Sequence, residues 1–353
     1  MDIGIIGGGI NGLCCAWQLA KQGHRVQLYE RDTLMNATSR ASSKLLHGGL
    51  RYLENREFRL VREALRERDA WIKRAPHLAQ PLRLVMPIYQ QSRRPGWMIA
   101  LGLFLYDHLA GKSQLPNARR LSAQELVRRD PHLKSDGLQG GYEFSDGQMD
   151  DQALGLWVAE QAKQAGVNIV EHTEVTALTQ DGQVTTAKGA THAHDRLINV
   201  AGPWAQRLLQ TSALDSPYQL DLVRGSHLIL EAPCKQAYLL EAPNDRRIFF
   251  VLPWQGHTLV GTTEVRQALD EPIACSEQEQ NYLIGAWLNY FPRCEPQVIN
   301  TFAGLRPLLK SARNPSKATR EYAIYRINNL ITVFGGKWTT AMALSGKVEK
   351  YLA

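Results

Sequence analysis

MDIGIIGGGINGLCCAWQLAKQGHRVQLYERD, residues 1–32, decides the fold. It gives a short apolar strand, a glycine turn, a helix through about Lys21, a stop at Gly23 and a second strand ending near Glu30. Together these make a compact βαβ unit. Gly7, Gly9 and Gly12 have G-x-G-x-x-G spacing after a strand and at the start of a helix, where the chemistry needs it. Gly7 permits the turn, Gly9 lets a pyrophosphate approach the backbone and Gly12 lets helix and strand pack closely. The helix N-terminus offers unpaired N–H groups and partial positive charge to phosphates. Glu30 stands eighteen positions after Gly12. There a carboxylate can accept hydrogen bonds from ribose hydroxyls and disfavours a 2′-phosphate. The motif predicts a dinucleotide site and leaves NAD and FAD both open.

Working outward, ENREFRLVREALRERDAWI carries Phe58, Val61, Leu65 and Ile72 at the spacing of one helical face, with charge on the other, and should pack onto the sheet. From about Pro76 to Ser145 the pattern is irregular, with prolines at 76, 81, 87, 95, 116 and 131, and reads as an insertion. A short helix follows Ser122, with Glu125 placed to complete a capping box. MDDQALGLWVAEQAKQAG is a helix closed by Gly166, followed by strand VNIVE, a hairpin at Asp181-Gly182 and the apolar strand LINVAG. Between Gly225 and Thr263, SHLIL, RIFFVLPW and HTLVGTT predict an antiparallel sheet with a turn near Gln255-Gly256. A helix capped by Ser276 and Glu279 comes next, then two strands meeting at Asn328-Asn329 and a last helix from about Thr339. The expected architecture is α/β: a discontinuous dinucleotide-binding domain (1–72, 146–210 and 320–353) and a mainly antiparallel-sheet substrate domain (73–145 and 211–319).

At 353 residues and 44% hydrophobic content, the chain can bury a large core divided between two domains. Lys and Arg exceed Asp and Glu by 41 to 34, a net +7, which favours an anionic partner: a phosphorylated metabolite, a nucleic acid or a lipid headgroup. Nucleic acid has no motif here beyond that charge and is not expected. Five cysteines, odd in number and without a C-x-x-C pair, indicate neither a disulfide framework nor zinc and suit a reducing cytoplasm. The first residues read as a buried strand, not as a basic-then-apolar leader. The apolar run Trp97–Tyr106 falls below the roughly 18 residues that span a bilayer, so no transmembrane segment is expected. RRPGWMIALGLFLYDHL, with Arg93, Arg94, Trp97, Ile99, Leu103 and Phe104, fits either an interfacial membrane contact or a buried helix.

SSKLLHGGLRYLE, residues 42–54, is a poor helix because Gly48-Gly49 costs about 1 kcal/mol per glycine relative to alanine. It reads as a loop that holds its backbone close to a ligand. With this block the sequence resembles the FAD-dependent glycerol-3-phosphate dehydrogenases. IIGGGINGLCCA, ATSRASSKLLHGGLRYLENREFRLVREAL, LINVAGPWA, RGSHLIL, GTTE, FAGLRPL and FGGKWTT occur in that family's order between about residues 3 and 345. The resemblance implies FAD in a Rossmann-like two-dinucleotide-binding domain. It places Thr38, Ser39, Ser42, Ser43, Lys44, His47, Gly48 and Gly49 on the pyrophosphate and flavin ring, beside Gly7, Gly9, Asn11, Gly12, Glu30 and Arg31. It adds Val175 at the adenine, Ala201, Gly202 and Trp204 under the dinucleotide, and Gly336, Lys337, Trp338, Thr339 and Thr340 at the ring.

The activity implied is oxidation of sn-glycerol 3-phosphate to dihydroxyacetone phosphate by hydride transfer to FAD, with electrons passed on to quinone at a membrane surface, on the cytoplasmic face. Arg51, Tyr52, Arg306 and Arg320 would surround the substrate, the arginines forming a permanently charged phosphate clamp. His227 matches a residue beside the substrate and, with a reference pKa of about 6.5, suits proton transfer near neutrality. A histidine bonded within the sheet is the alternative, with Arg306 or Tyr52 then orienting the hydroxyl. Lys337, leading into the last helix, would stabilise negative charge on the reduced ring. The sequence departs from the family at Arg40 (usually Ser), Val200-Ala201 (Ala-Thr), Glu264 (Asp) and Trp338 (aliphatic), and bulk at Trp338 could alter the pocket. The match stops short of the helical C-terminal domain of longer members. A flavoenzyme for another 2-hydroxy or amino acid, and a non-catalytic FAD-binding module, remain alternatives. A homodimer is the working expectation for assembly.

Overall fold

Strand Asp2–Ile6, helix Ile10–Lys21 and strand Arg25–Tyr29 form the expected βαβ unit in the computed structural model, which describes residues 1–310 and 322–352. The two strands pair in parallel, Ile3 opposite Val26 and Ile5 opposite Leu28. They sit within a six-stranded sheet in the order Ala323–Ile327, Leu330–Phe334, Arg196–Asn199, Asp2–Ile6, Arg25–Tyr29, Asn168–Val170. Only the Ala323–Ile327 edge is antiparallel. Ile10–Lys21 packs against helices Asp151–Gln164 and Ala341–Glu349, and Leu13, Leu19, Val158, Leu344 and Val348 join Ile3, Ile5 and Leu28 in one buried cluster. The other face carries a small antiparallel sheet of Val175–Leu178, Gln183–Thr186 and Thr191–Ala193, sealed by Val184, Leu197 and Leu208.

The second large sheet has ten strands. Leu220–Leu230 pairs along its length with Val298–Leu309 and, on its other side, with His257–Gly261, which continues the antiparallel run through Ile248–Trp254 to Ala237–Glu241. Here the segment expected to be irregular proves regular. Ala79–Tyr89 and Leu138–Met149 form an eleven- and a twelve-residue strand paired antiparallel. Pro81 and Pro87 hid the first of them. They are tolerated because Ala79–Tyr89 meets its other neighbour only at Leu84 and Val85, so neither proline faces that strand.

Helix Phe58–Arg74 buries Val61 and Leu65 against Leu84 and Phe144 of this sheet, and Trp71 against the first core. Phe58, assigned to its apolar face, is 43% exposed, whereas Arg68, on the side read as charged and solvated, is fully enclosed. Arg68 is buried because Asp146, Asp69 and the Ser145 carbonyl accept its N–H groups. Ser122 caps helix Ala123–Arg129 as expected, but Glu125 turns to Arg119 and Arg129 and does not close the box. Ser276 and Glu279 do close theirs on helix Glu277–Leu288. Residues 42–54 are a loop broken by the two-residue strand Leu45–Leu46 and the 3₁₀ turn Leu50–Leu53. Helix Gly96–Ala110 buries Leu103 and Tyr106 but leaves Trp97 and Phe104 each 66% exposed, so it is not a core helix. Among the described residues no helix is long and apolar enough to cross a membrane.

Candidate active site

A cavity of about 990 Å³ runs between the two large sheets. At one end it meets Glu30, Arg31, Val175, Ala201, Gly202 and Trp204, with Arg31 stacked 4.6 Å over the Trp204 ring. Gly7, Gly9, Asn11, Thr38 and Ser39 line it as well. His47, Gly49, Arg51, Tyr52, His227, Arg306, Gly336, Lys337, Trp338 and Thr339 also line it. Residues dispersed from 7 to 339 in the chain thus converge on one space. Arg320 lies outside the described residues.

The dinucleotide end is shaped by absent side chains. A Cβ on Gly9 would stand 2.9 Å from Ser39 Oγ, and one on Gly12 would stand 1.9 Å from the Gly7 carbonyl oxygen. Gly12 accordingly packs helix on strand and does not itself line the cavity. Glu30 accepts hydrogen bonds from Gly8 N–H (2.6 Å) and Asp32 N–H (2.9 Å) at the second strand's end. Asn11 Oδ1 is buried with no hydrogen-bond partner among the described residues, an acceptor awaiting a donor. A cavity of this size lined by a glycine turn, a carboxylate and this orphaned amide oxygen fits a dinucleotide.

The 38–52 segment divides its work differently from the sequence expectation. Ser43, Ser42, His47 and Gly49 reach the cavity; Lys44 and Gly48 do not. Lys44, in a left-handed conformation (φ 60°), turns its ammonium inward to Asp151 Oδ1 and the Arg40 carbonyl, each at 2.6 Å. Ser42 donates from its hydroxyl to Asp151 Oδ2 at 2.6 Å. A buried ammonium needs such a partner, and the carboxylate at the head of Asp151–Gln164 supplies it. Asp151 was missed in the sequence because there it reads only as a first-turn helix acid. Gly48 likewise faces away: its N–H donates to Tyr106 Oη (2.8 Å), and a Cβ would strike Leu65. Gly49, at φ 76°, is where a Cβ would lie 2.0 Å from the Tyr52 ring, so the turn that presents Arg51 and Tyr52 requires glycine.

Asp146 sits beneath that turn, accepting from Tyr106 (2.7 Å), Arg68 and Gly48. Burial raises its pKa from 3.8 to about 6, against the lowering by Arg68 and these hydrogen bonds. A carboxyl with a folded value above its unfolded one keeps its proton in the native state between about pH 4 and 6, so its stability contribution falls as pH rises through that window. Asp146→Asn should therefore gain in melting temperature relative to the parent as pH rises from about 4 to about 7. A difference in Tm independent of pH would refute this.

At the far end Arg306 donates from Nη2 to the Thr263 carbonyl (2.7 Å) and lies 3.8 Å from Glu264. His227 is buried, stacked on Phe302 at 4.8 Å, with Nε2 2.9 Å from Ser43 Oγ. Gly261 makes room for it, since a Cβ there would come within 2.2 Å of the imidazole. Burial, then the charges of Arg306 and Lys44, press its pKa from 6.5 to about 3, so the ring is neutral at pH 7. Lys337 places its ammonium 3.8 Å from the centre of the Tyr52 ring. Trp338, which also lines the cavity, donates its indole N–H to the Ser39 carbonyl (3.1 Å) and packs its ring edge-on against Trp71.

Residues 2–348 match the model of the FAD dependent oxidoreductase family. The chain is 38% identical to the D-erythritol 1-phosphate dehydrogenase of Brucella abortus and 37% identical to the aerobic glycerol-3-phosphate dehydrogenase of Escherichia coli, in each case over 98% of this chain and 72% of the relative. Among solved structures, the glycerol-3-phosphate dehydrogenase from Bacillus halodurans complexed with FAD superposes with a TM-score of 0.80 at 24% identity. The match covers all of this chain and 64% of that one, so this chain spans just under two thirds of it. With a family match over nearly its whole length and relatives of this identity, the chain belongs to the FAD-dependent oxidoreductases, in the group of the glycerol-3-phosphate dehydrogenases, and its cofactor is FAD.

Proposed function

We propose that the protein oxidises sn-glycerol 3-phosphate to dihydroxyacetone phosphate. The observation that carries this reading is the convergence of Arg51, Tyr52, His227, Arg306 and Lys337 on the cavity that also holds the dinucleotide glycines. The relatives named above act, by their names, on two polyol monophosphates, in keeping with a clamp for a phosphate ester. Arg306 and Arg51 bind the phosphate with planar, permanently charged forks. His227, neutral at pH 7, is the base that takes the substrate hydroxyl proton; Ser43 Oγ, 2.9 Å from Nε2, holds the ring in place. A dianionic substrate beside it offsets the two neighbouring cations and makes the imidazole more basic. When bound, FAD supplies the acceptor for the hydride leaving the substrate carbon. Gly7, Gly9, Asn11 and Glu30 would hold its dinucleotide portion, and Lys337 with the N–H groups leading into Ala341–Glu349 would hold the negative charge on its ring.

The reading extends to a substrate domain built on the ten-stranded sheet and to quinone as electron acceptor at a membrane surface. Trp97, Met98, Leu101 and Phe104 form an exposed apolar face on helix Gly96–Ala110, preceded by Arg93 and Arg94, and Met98 and Leu101 also line the cavity. One two-step experiment tests both parts. Glycerol 3-phosphate added anaerobically should bleach the yellow FAD-loaded protein, D-erythritol 1-phosphate less fully and a 2-hydroxy acid not at all. Quinone-bearing vesicles should then restore the colour. No bleaching by either phosphate ester would sink the function; bleaching without recovery on vesicles would sink only the acceptor.

A further inference from the structure

The wall of the cavity has a back, and one carboxylate organises it. Along Leu220–Leu230, Gly225 and His227 face the cavity, so Arg224 and Ser226 face away, as strand alternation requires. Thr262 and Glu264 likewise line the cavity while Thr263 between them points behind it. Glu279, from helix Glu277–Leu288, meets all three outward side chains and is 4% exposed. Its Oε1 accepts from Thr263 Oγ1 (2.6 Å) and Ser226 Oγ (2.8 Å). Its Oε2 accepts from Arg224 Nη2 (2.7 Å), Ser276 Oγ (2.8 Å) and Ser276 N–H (3.1 Å). Thr263 Oγ1 in turn accepts from Ser226 N–H at 2.9 Å, and Thr263 N–H donates to the Ser226 carbonyl at 3.3 Å, so the two segments are joined at this point by one backbone and one side-chain bond.

The same Thr263 offers its carbonyl to Arg306 Nη2, and Gly225, next to Ser226, has no Cβ because one would come 2.9 Å from that nitrogen. We propose that Glu279 is a positioning residue for substrate binding: by fixing Thr263 and Ser226 from behind the wall, it sets where the Arg306 guanidinium stands. The inference rests on Arg306 acting as a phosphate ligand. Burial alone would raise the Glu279 pKa, yet the bonds from Thr263, Ser226, Ser276 and Arg224 hold it down to about 2, so the carboxylate stays an acceptor for all of them at working pH.

Two variants of the FAD-loaded protein test it. Glu279→Gln gives up the charge and forces an amide N–H toward one set of donors; Thr263→Val removes a single hydroxyl and leaves the carbonyl that Arg306 uses. Both should raise KM for glycerol 3-phosphate, and the dissociation constant of inorganic phosphate read from the flavin spectrum, by about tenfold, with kcat and FAD content changed less than about threefold. A lowered Tm with KM and phosphate affinity unchanged would reduce Glu279 to a helix cap and overturn the proposal. Should Glu279→Gln fail to fold, Thr263→Val alone decides. A parent protein that neither bleaches with glycerol 3-phosphate nor responds to phosphate refutes the functional reading itself, a result distinct from a responsive parent with unaltered variants.

Discussion

Arg306→Ala should lower kcat/KM for glycerol 3-phosphate by about a hundredfold to a thousandfold, while the purified protein stays yellow. Truncating one member of a desolvated, hydrogen-bonded charge pair typically costs about 2–5 kcal/mol. At about 1.4 kcal/mol per tenfold, that spans the stated range. The guanidinium contributes more than charge. Its Nη2 is held by the Thr263 carbonyl and its Nε lies 3.4 Å from the Val223 carbonyl, so the fork is oriented before substrate arrives. Arg306→Lys restores charge without that fork and should recover only part of the loss. FAD content separates this role from a structural one, because the glycine turn and Glu30 belong to the other sheet. Unchanged kcat/KM in a yellow Arg306→Ala protein would remove the clamp from the account.

Gly12→Ala should abolish FAD binding, and the variant should purify colourless or fail to fold. A methyl group there would lie 1.9 Å from a backbone oxygen, that of Gly7, and 3.2 Å from Val200 Cγ2. No rotamer relieves such a clash, because a Cβ position is set by the backbone. The helix must shift, carrying the N–H groups at its start out of line with the pyrophosphate. Gly285→Ala is the control. That glycine also sits in a helix, but nothing lies within 4 Å of its added Cβ, so the change should be neutral or stabilising by up to about 1 kcal/mol. FAD stoichiometry measured on both proteins checks the contrast, and a fully loaded Gly12→Ala protein would contradict it.

Much of this architecture was legible in one dimension wherever the deciding interaction is local. The first 30 residues specify strand, glycine turn, helix and strand through apolar spacing and backbone sterics alone, and they also carry the expectation of a dinucleotide. Ser276 and Glu279 signal a capping box because its partners are three residues apart. Where periodicity was interrupted the reading failed. Pro81 and Pro87 concealed a long strand whose tolerance of proline depends on a neighbour, Ala237–Glu241, about 150 residues away.

The assignment of side chains to roles belonged to the tertiary structure. Lys44 looks like a ligand contact in a polar, glycine-rich loop, yet Asp151, more than 100 residues on, draws its ammonium away from the cavity. Arg68 looks like a solvated charge on an amphipathic helix and is instead enclosed with Asp146. Glu279 looks like a cap and also reaches, with its other oxygen, the far side of the wall that holds Arg306. By itself the sequence determined the strands and helices whose period is uninterrupted, the opening βαβ unit above all, and carried the expectation of a nucleotide at its first turn, since sterics and hydrophobic period act between near neighbours. Only the folded chain decided which charged groups are buried together, because the desolvation that forces them to pair exists only once distant segments have excluded water.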